Sequence, residues 1–148
     1  MKLIVCERVK IMGLWITLVI LYMYCDIFSF HRIDFVETMT ANLIGPFEVT
    51  QATLAVFGAL MIIPSLMIPA CLFLKEKAIK WASIIVGALY TLVNIGNLIG
   101  ETYVYYWMFG IIEIALTIAI IVFCCSLRVA SRGKSTYRPF CGLAYLKE

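Results

Sequence analysis

Four long, predominantly apolar runs occupy most of this chain, and each has the length of a bilayer. They cover residues 11–30, 49–74, 79–99 and 103–127, with 20, 26, 21 and 25 residues respectively. A helix needs about 20 apolar residues to cross a hydrocarbon layer roughly 30 Å thick. Helix is the form to expect, because a single span must satisfy its own backbone hydrogen bonds where no water reaches. Composition agrees. Hydrophobic residues make up 64% of the 148 and charged residues 14%, against an apolar share of roughly 45–50% in soluble domains. The sequence predicts one all-α integral membrane domain over residues 1–148, a four-helix antiparallel bundle.

The first run follows Lys2, Arg8 and Lys10, as the core of a cleaved signal peptide would. It is longer than the usual core of about 7–15 residues, and no small-x-small cleavage site follows it. The bulky Tyr22, Met23 and Tyr24 before Cys25 do not fit lipoprotein processing. An uncleaved first helix is therefore expected. Eleven of the twelve Lys and Arg residues fall before the first run, between the second and third or at the very start of the third (Lys80), or after the fourth; Arg32 alone falls on the other side. The positive-inside rule then predicts that both termini are cytoplasmic, with residues 128–148 as a mobile tail. The net charge of +3 is accounted for by this topology and by anionic headgroups, and it gives no reason to invoke nucleic acid.

The six cysteines form no C-x-x-C pair, and there is one His. No metal and no cofactor is expected; the cysteines read as small apolar packing residues. Phosphate loops, nucleophile elbows and zinc motifs are absent.

The longest connection, residues 31–48, mixes Val36, Met39 and Leu43 with charged residues. That spacing fits a short interfacial helix ended by Gly45-Pro46, and an ordinary solvated loop fits equally. The connection at 100–102 is so short that the third and fourth spans must be antiparallel neighbours. In the second span Pro64 and Pro69 remove two backbone donors and free the carbonyls of Leu60 and Ser65. A static bend is the simpler reading, a hinge or a carbonyl open to a cavity the sharper one.

Polar residues recur at helical spacing. The first span gives Trp15, Val19, Tyr22, Asp26 and Ser29; the third Gly87, Tyr90, Asn94, Asn97 and Glu101; the fourth Tyr106, Gly110, Glu113 and Thr117. The second starts with Thr50 and Gln51, then Gly58, Met61 and Ser65. A charge in hydrocarbon is expensive and marks a functional candidate by default, so Asp26 and Glu113 stand out. With the topology above, Tyr22, Asp26, Thr50, Gln51, Asn94, Asn97 and Tyr106 converge on one level, with Glu113 deeper. The expectation is an outward-open pocket for a small molecule or ion, lined by these eight residues. The competing expectation is interhelical glue, since amides, hydroxyls and small residues also serve as packing devices between membrane helices.

The run Tyr24-Cys25-Asp26-Ile27-Phe28-Ser29, then Gly45-Pro46-Phe47, Thr50-Gln51 and Met61-Ile62-Ile63-Pro64-Ser65-Leu66-Met67-Ile68, resembles a family of small bacterial four-helix membrane proteins catalogued as a domain of unknown function. Tyr105-Tyr106 and Ile112-Glu113 also fit, and the resemblance spans about 14–127. Where that family's pattern has a Pro-Gly turn after the first helix, this chain has His31-Arg32-Ile33. The resemblance implies a bacterial cell membrane and supports Asp26 and Glu113 as family positions, without implying an activity.

Three functions compete. The first is binding or translocation of a small molecule or ion. The second is a structural or assembly subunit that contacts a membrane-protein partner. The third, a quinone-linked membrane enzyme, is disfavoured by the single His and the lack of a Cys pair. The first two part on where the polar stripes face, toward a shared interior or toward lipid.

Overall fold

The computed structural model describes residues 7–44 and 47–126. Its elements are α1 (Glu7–Ser29), α2 (Phe35–Thr40), β1 (Leu43–Ile44), β2 (Phe47–Glu48), α3 (Gln51–Phe73), α4 (Glu76–Leu98) and α5 (Val104–Ser126). The four long helices are each long and apolar enough to cross a membrane. They match the four apolar runs, but α1 and α4 begin several residues earlier than hydropathy alone suggests. Arg8, Lys10, Lys77 and Lys80 are thus helical, because amphipathic Lys and Arg stems continue a helix into the polar layer at no cost. The expected tail, with Cys141, and the terminal Cys6 lie outside the described residues.

Helix α5 packs most extensively against α4 and also against α1, while α1 packs against α3; α3 touches α4 only lightly. The helices therefore form an antiparallel bundle in the ring order α1, α3, α4, α5. Close approach between α4 and α5 rests on two glycines. A Cβ at Gly87 would lie 3.0 Å from Ile121 Cγ1, and one at Gly110 only 2.6 Å from Leu98 Cδ2. The core beneath gathers Ile11, Trp15 and Leu18 of α1, Met67 and Cys71 of α3, Ile79 and Tyr90 of α4, and Ile120 and Cys124 of α5. Cys71 and Cys124 pack there, whereas Cys125 faces out.

The prolines of α3 leave it a single helix. Pro64 is itself buried, and the carbonyl it frees at Leu60 accepts a hydrogen bond from the Tyr90 hydroxyl of α4. The bond joins helices that otherwise touch little, and it fills the Leu60 carbonyl that the sharper reading left open to a cavity. We expect Tyr90→Phe to lower stability in detergent by about 1 kcal/mol. In a Pro64→Ala background the restored amide supplies the same carbonyl, and the penalty should largely vanish. An undiminished penalty in that background would mean that the hydroxyl does not stand in for the missing amide.

The first connection holds the expected short helix, which stops at Thr40 before Leu43, and a strand pair that was not expected. Helix α2 is one short turn and a half, and the strand pair that follows aligns Leu43 with Glu48 and Ile44 with Phe47. Thr50 then caps α3, its hydroxyl accepting from the Thr53 amide at 3.1 Å, which satisfies one of the orphan donors of a helix start. Gly100 turns the chain between α4 and α5 at φ +84°, a conformation that suits glycine. At the opposite end Lys80 Nζ donates to the Cys125 carbonyl at 3.2 Å, and a cation at the C-terminal end of α5 is favoured by the helix dipole.

Candidate functional site

Three polar side chains from three helices meet inside the bundle. On α5 the 3–4 alternation Gly110, Glu113, Thr117, Ile120, Cys124 is the buried face, so Glu113 points inward between a close-contact glycine and a threonine. On α4 the buried face is Ile79, Ser83, Gly87, Tyr90, Asn94 and Leu98, and it delivers Asn94. From α1 comes Tyr22, whose hydroxyl donates to Asn94 Oδ1 at 3.1 Å and whose ring lies 6.2 Å from that of Tyr90. Asn94 is 2% and Glu113 6% exposed. One turn toward the lysine end, Thr91 donates to Thr117 at 2.8 Å, and Thr117 to the Ile114 carbonyl at 2.9 Å.

The threonines are satisfied; the acid and the amide are not. Glu113 Oε1 and Asn94 Nδ2 are buried without a hydrogen-bond partner, as are Trp15 Nε1 and Ser83 Oγ nearer the lysine end. Buried polar atoms are nearly always paired, and an orphan calls for an explanation such as an unfilled site. Glu113 is also within electrostatic reach of Asp26, Tyr22, Cys25 and Tyr106. These residues run from the bundle interior toward the Arg32 end.

Of the eight residues picked out by spacing, the structure buries Tyr22, Asn94 and Glu113, bonds the first two to each other, and leaves Tyr106 half-buried. Asp26, Asn97, Thr50 and Gln51 are exposed. The inward face of α1 runs through Leu18 and Cys25 instead of Val19 and Asp26, and on α4 Leu98 takes the place expected for Asn97. On α3 the buried positions are Pro64, Met67 and Cys71, while Gly58, Met61 and Ser65 face out. Helical spacing admits two neighbouring residues per turn to one broad face. Where one neighbour was polar and one apolar, packing took the apolar one.

A second polar group caps the bundle at the Arg32 end. The Arg32 guanidinium grips Glu101 with both terminal nitrogens, at 3.0 Å to Oε2 and 3.3 Å to Oε1. It also reaches Asp34 through Nε at 3.3 Å and sits 4.2 Å over the Tyr103 ring. Tyr103 donates to Asp34 at 3.0 Å. Glu101 Oε1 accepts from the amides of Thr102 and Tyr103 at 2.9 and 3.1 Å. This latch ties the connection after α1 to the connection before α5. Spacing found only Glu101, at the end of the third span's stripe, because Arg32, Asp34 and Tyr103 lie outside the long helices. The signal in the sequence was charge: Arg32 is the lone cation on its side, and Glu101 stands in the opposite short connection.

The Tyr103 hydroxyl, and with it Arg32, hold the Asp34 carboxyl below the usual carboxylate range. Its stabilising contribution is therefore present above that range and is lost as pH falls through the lowered value. Glu101 is 11% and Arg32 22% exposed, so breaking their pair should cost about 2 kcal/mol. Arg32→Ala is expected to show that loss in denaturant unfolding. Arg32→Lys should recover only part of it, since lysine keeps the charge and loses the fork. A lysine variant as stable as the parent would refute the bidentate latch.

Two clefts open on the outside of the bundle. One, of about 390 Å³, is lined by Ile95, Leu98, Ile99, Gly100 and Trp107; the other, of about 300 Å³, by Ile20, Met23, Tyr24 and Ile27. Neither includes a polar side chain of the cluster. Among the described residues no three His, Cys, Asp or Glu side chains group as a metal site.

A protein-family model described as a family of unknown function (DUF6326) matches residues 5–131, wider at both ends than the stretch quoted for the resemblance. No curated protein and no solved structure matches the chain.

Proposed function

This chain belongs to the DUF6326 family of unknown function, and we propose that it is an integral membrane protein that binds a small solute or ion at Tyr22, Asn94 and Glu113. One observation carries the reading: a carboxylate oxygen and an amide nitrogen, both deeply buried, lack partners in the same interhelical layer. Packing glue would be expected to pair its polar atoms with one another, as Thr91 and Thr117 do. A binding layer keeps valences free for what it binds. The Lys/Arg asymmetry supports cytoplasmic termini, which puts the Arg32 latch on the outer face. The latch then covers the end through which a solute would reach Tyr106 and Glu113. Residence in a bacterial cell membrane is part of the same proposal.

The experiment is thermal unfolding of the purified protein in detergent with sodium chloride, choline chloride, glycine, sodium phosphate or glucose. At least one of these should raise the midpoint for the parent and leave Glu113→Gln unmoved. If none separates the parent from the variant, the binding reading is wrong.

A second reading has its own support. Asp26 and Asn97 are exposed on long apolar helices, where a lone copy would turn them toward lipid, and a neighbouring helix could satisfy them. An assembly subunit fits that feature. It leaves the buried orphans at Glu113 and Asn94 without a role, and for that reason it ranks second.

A further inference from the structure

We infer that the solute bound at Tyr22, Asn94 and Glu113 is a monovalent metal cation of about the size of sodium, an inference that rests on the binding reading above. Charge sets the sign. Away from their Lys- and Arg-bearing ends the four long helices hold two carboxyl groups, Glu113 in the middle of α5 and Asp26 near the end of α1, and no Lys, Arg or His. Neither acid therefore has a counter-charge within these stretches. A buried carboxyl either takes up a proton or pairs with a positive partner, and the partner that would keep this one ionised comes from solution.

Donor chemistry sets the class. Glu113 supplies a free carboxylate oxygen at 6% exposure. Asn94 presents its unpaired amide end to the same layer. Turning that amide by 180° exchanges its nitrogen and oxygen. The Tyr22 hydroxyl, which both donates and accepts, keeps its bond through the exchange, and a carbonyl oxygen then stands where the orphan nitrogen stood. Carboxylate, amide carbonyl and phenol oxygens are hard donors, suited to alkali and alkaline-earth ions rather than to soft metals.

Size and charge number follow from what surrounds the oxygens. A calcium ion takes six to eight oxygens with several carboxylates among them, whereas only Glu113 is a carboxylate inside the bundle. One carboxylate balances one positive charge. The burial of both Asn94 and Glu113 and the apolar lining of the two outer clefts favour a compact ion over an organic cation. Asp26, exposed near the end of α1, is outside this donor set; it adds negative field between the Arg32 end and the site.

The test is the unfolding midpoint of the detergent-solubilised protein at fixed pH and ionic strength, in lithium, sodium, potassium or choline chloride. Lithium or sodium should raise the midpoint over choline by about 5 °C when well above the dissociation constant. Glu113→Gln should abolish the difference. Asp26→Asn, on an exposed position that folding should tolerate, should weaken the apparent affinity severalfold without abolishing the effect. Equal midpoints in lithium, sodium and choline chloride would overturn the inference. The binding reading would still stand if glycine, phosphate or glucose protected the parent in a Glu113-dependent way, and would fall with the inference if nothing did. An alkali-ion effect that survives Glu113→Gln would also overturn it, since the ion would then bind elsewhere.

Discussion

Gly110→Leu is expected to be the most damaging single substitution in the bundle, costing about 3 kcal/mol or preventing folding. A Cβ at that position would meet Leu98 at 2.6 Å to Cδ2, 3.0 Å to Cγ and 3.1 Å to Cδ1. The nearest atom ends a flexible side chain, but the Cγ contact means that rotating a methyl does not clear the space. Leucine adds three further carbons, and overpacking a close contact typically costs about 1–3 kcal/mol, occasionally more. The site is worse than average because α4 and α5 share the largest interface of the bundle and have no loop slack to separate. Gly110→Ala should cost less, and Leu98→Ala should rescue it. The readout is denaturant unfolding together with the elution profile in detergent. A Gly110→Leu protein within about 0.5 kcal/mol of the parent, the range usual for neutral surface substitutions, would mean that the two helices do not meet as described.

Removing the acid should do the opposite. Glu113→Met is expected to stabilise the ligand-free protein by about 1–4 kcal/mol, the range seen when buried ionic groups give way to well-packed apolar ones. Methionine has nearly the same shape, leaves no unpaired oxygen behind, and fills the space with a flexible chain. The same variant should lose any response to the bound solute. Greater stability with lost binding is the trade expected of a residue kept for function. If Glu113→Met instead destabilises by more than about 1 kcal/mol, the carboxyl is a structural hydrogen-bonding group, and the glue reading is the correct one.

The four helices were legible because length and hydropathy leave almost no other solution in a bilayer. The inward face of α5 was legible too, since Gly110, Glu113 and Thr117 recur at strict helical spacing and the buried set continues through Ile120 and Cys124. The face of α1 was read half correctly. Trp15 and Tyr22 point in, but Asp26 was preferred over Cys25 because polarity was taken as the sign of the interior, while close packing favoured the small thiol. The same bias chose Asn97 over Leu98. On α3 it failed altogether, since Pro64 and the apolar Met67 define the buried side. A helical repeat locates a face only to within about a hundred degrees, and in an apolar solvent polarity does not say which half of that arc is buried. The latch escaped for a different reason: Arg32, Asp34, Glu101 and Tyr103 are far apart in sequence and meet only once α1 and α5 are neighbours. The Tyr90 bond to the Leu60 carbonyl was half foreseen, as the freed carbonyl was legible and its donor was not.

The measurement that bears most directly on the account is a double-mutant cycle of stability in detergent for Asp26→Asn, Glu113→Gln and the pair. Two like charges that share a field without a protein cation should relieve each other, so each single change should stabilise by more than it does in the background of the other. A coupling of about 0.5–3 kcal/mol is the range for interacting groups, and the account predicts a value inside it that shrinks when sodium chloride replaces choline chloride. Strict additivity in both salts would contradict it: Asp26 would then be an isolated surface acid, and the shared negative field invoked for the Glu113 site would be absent.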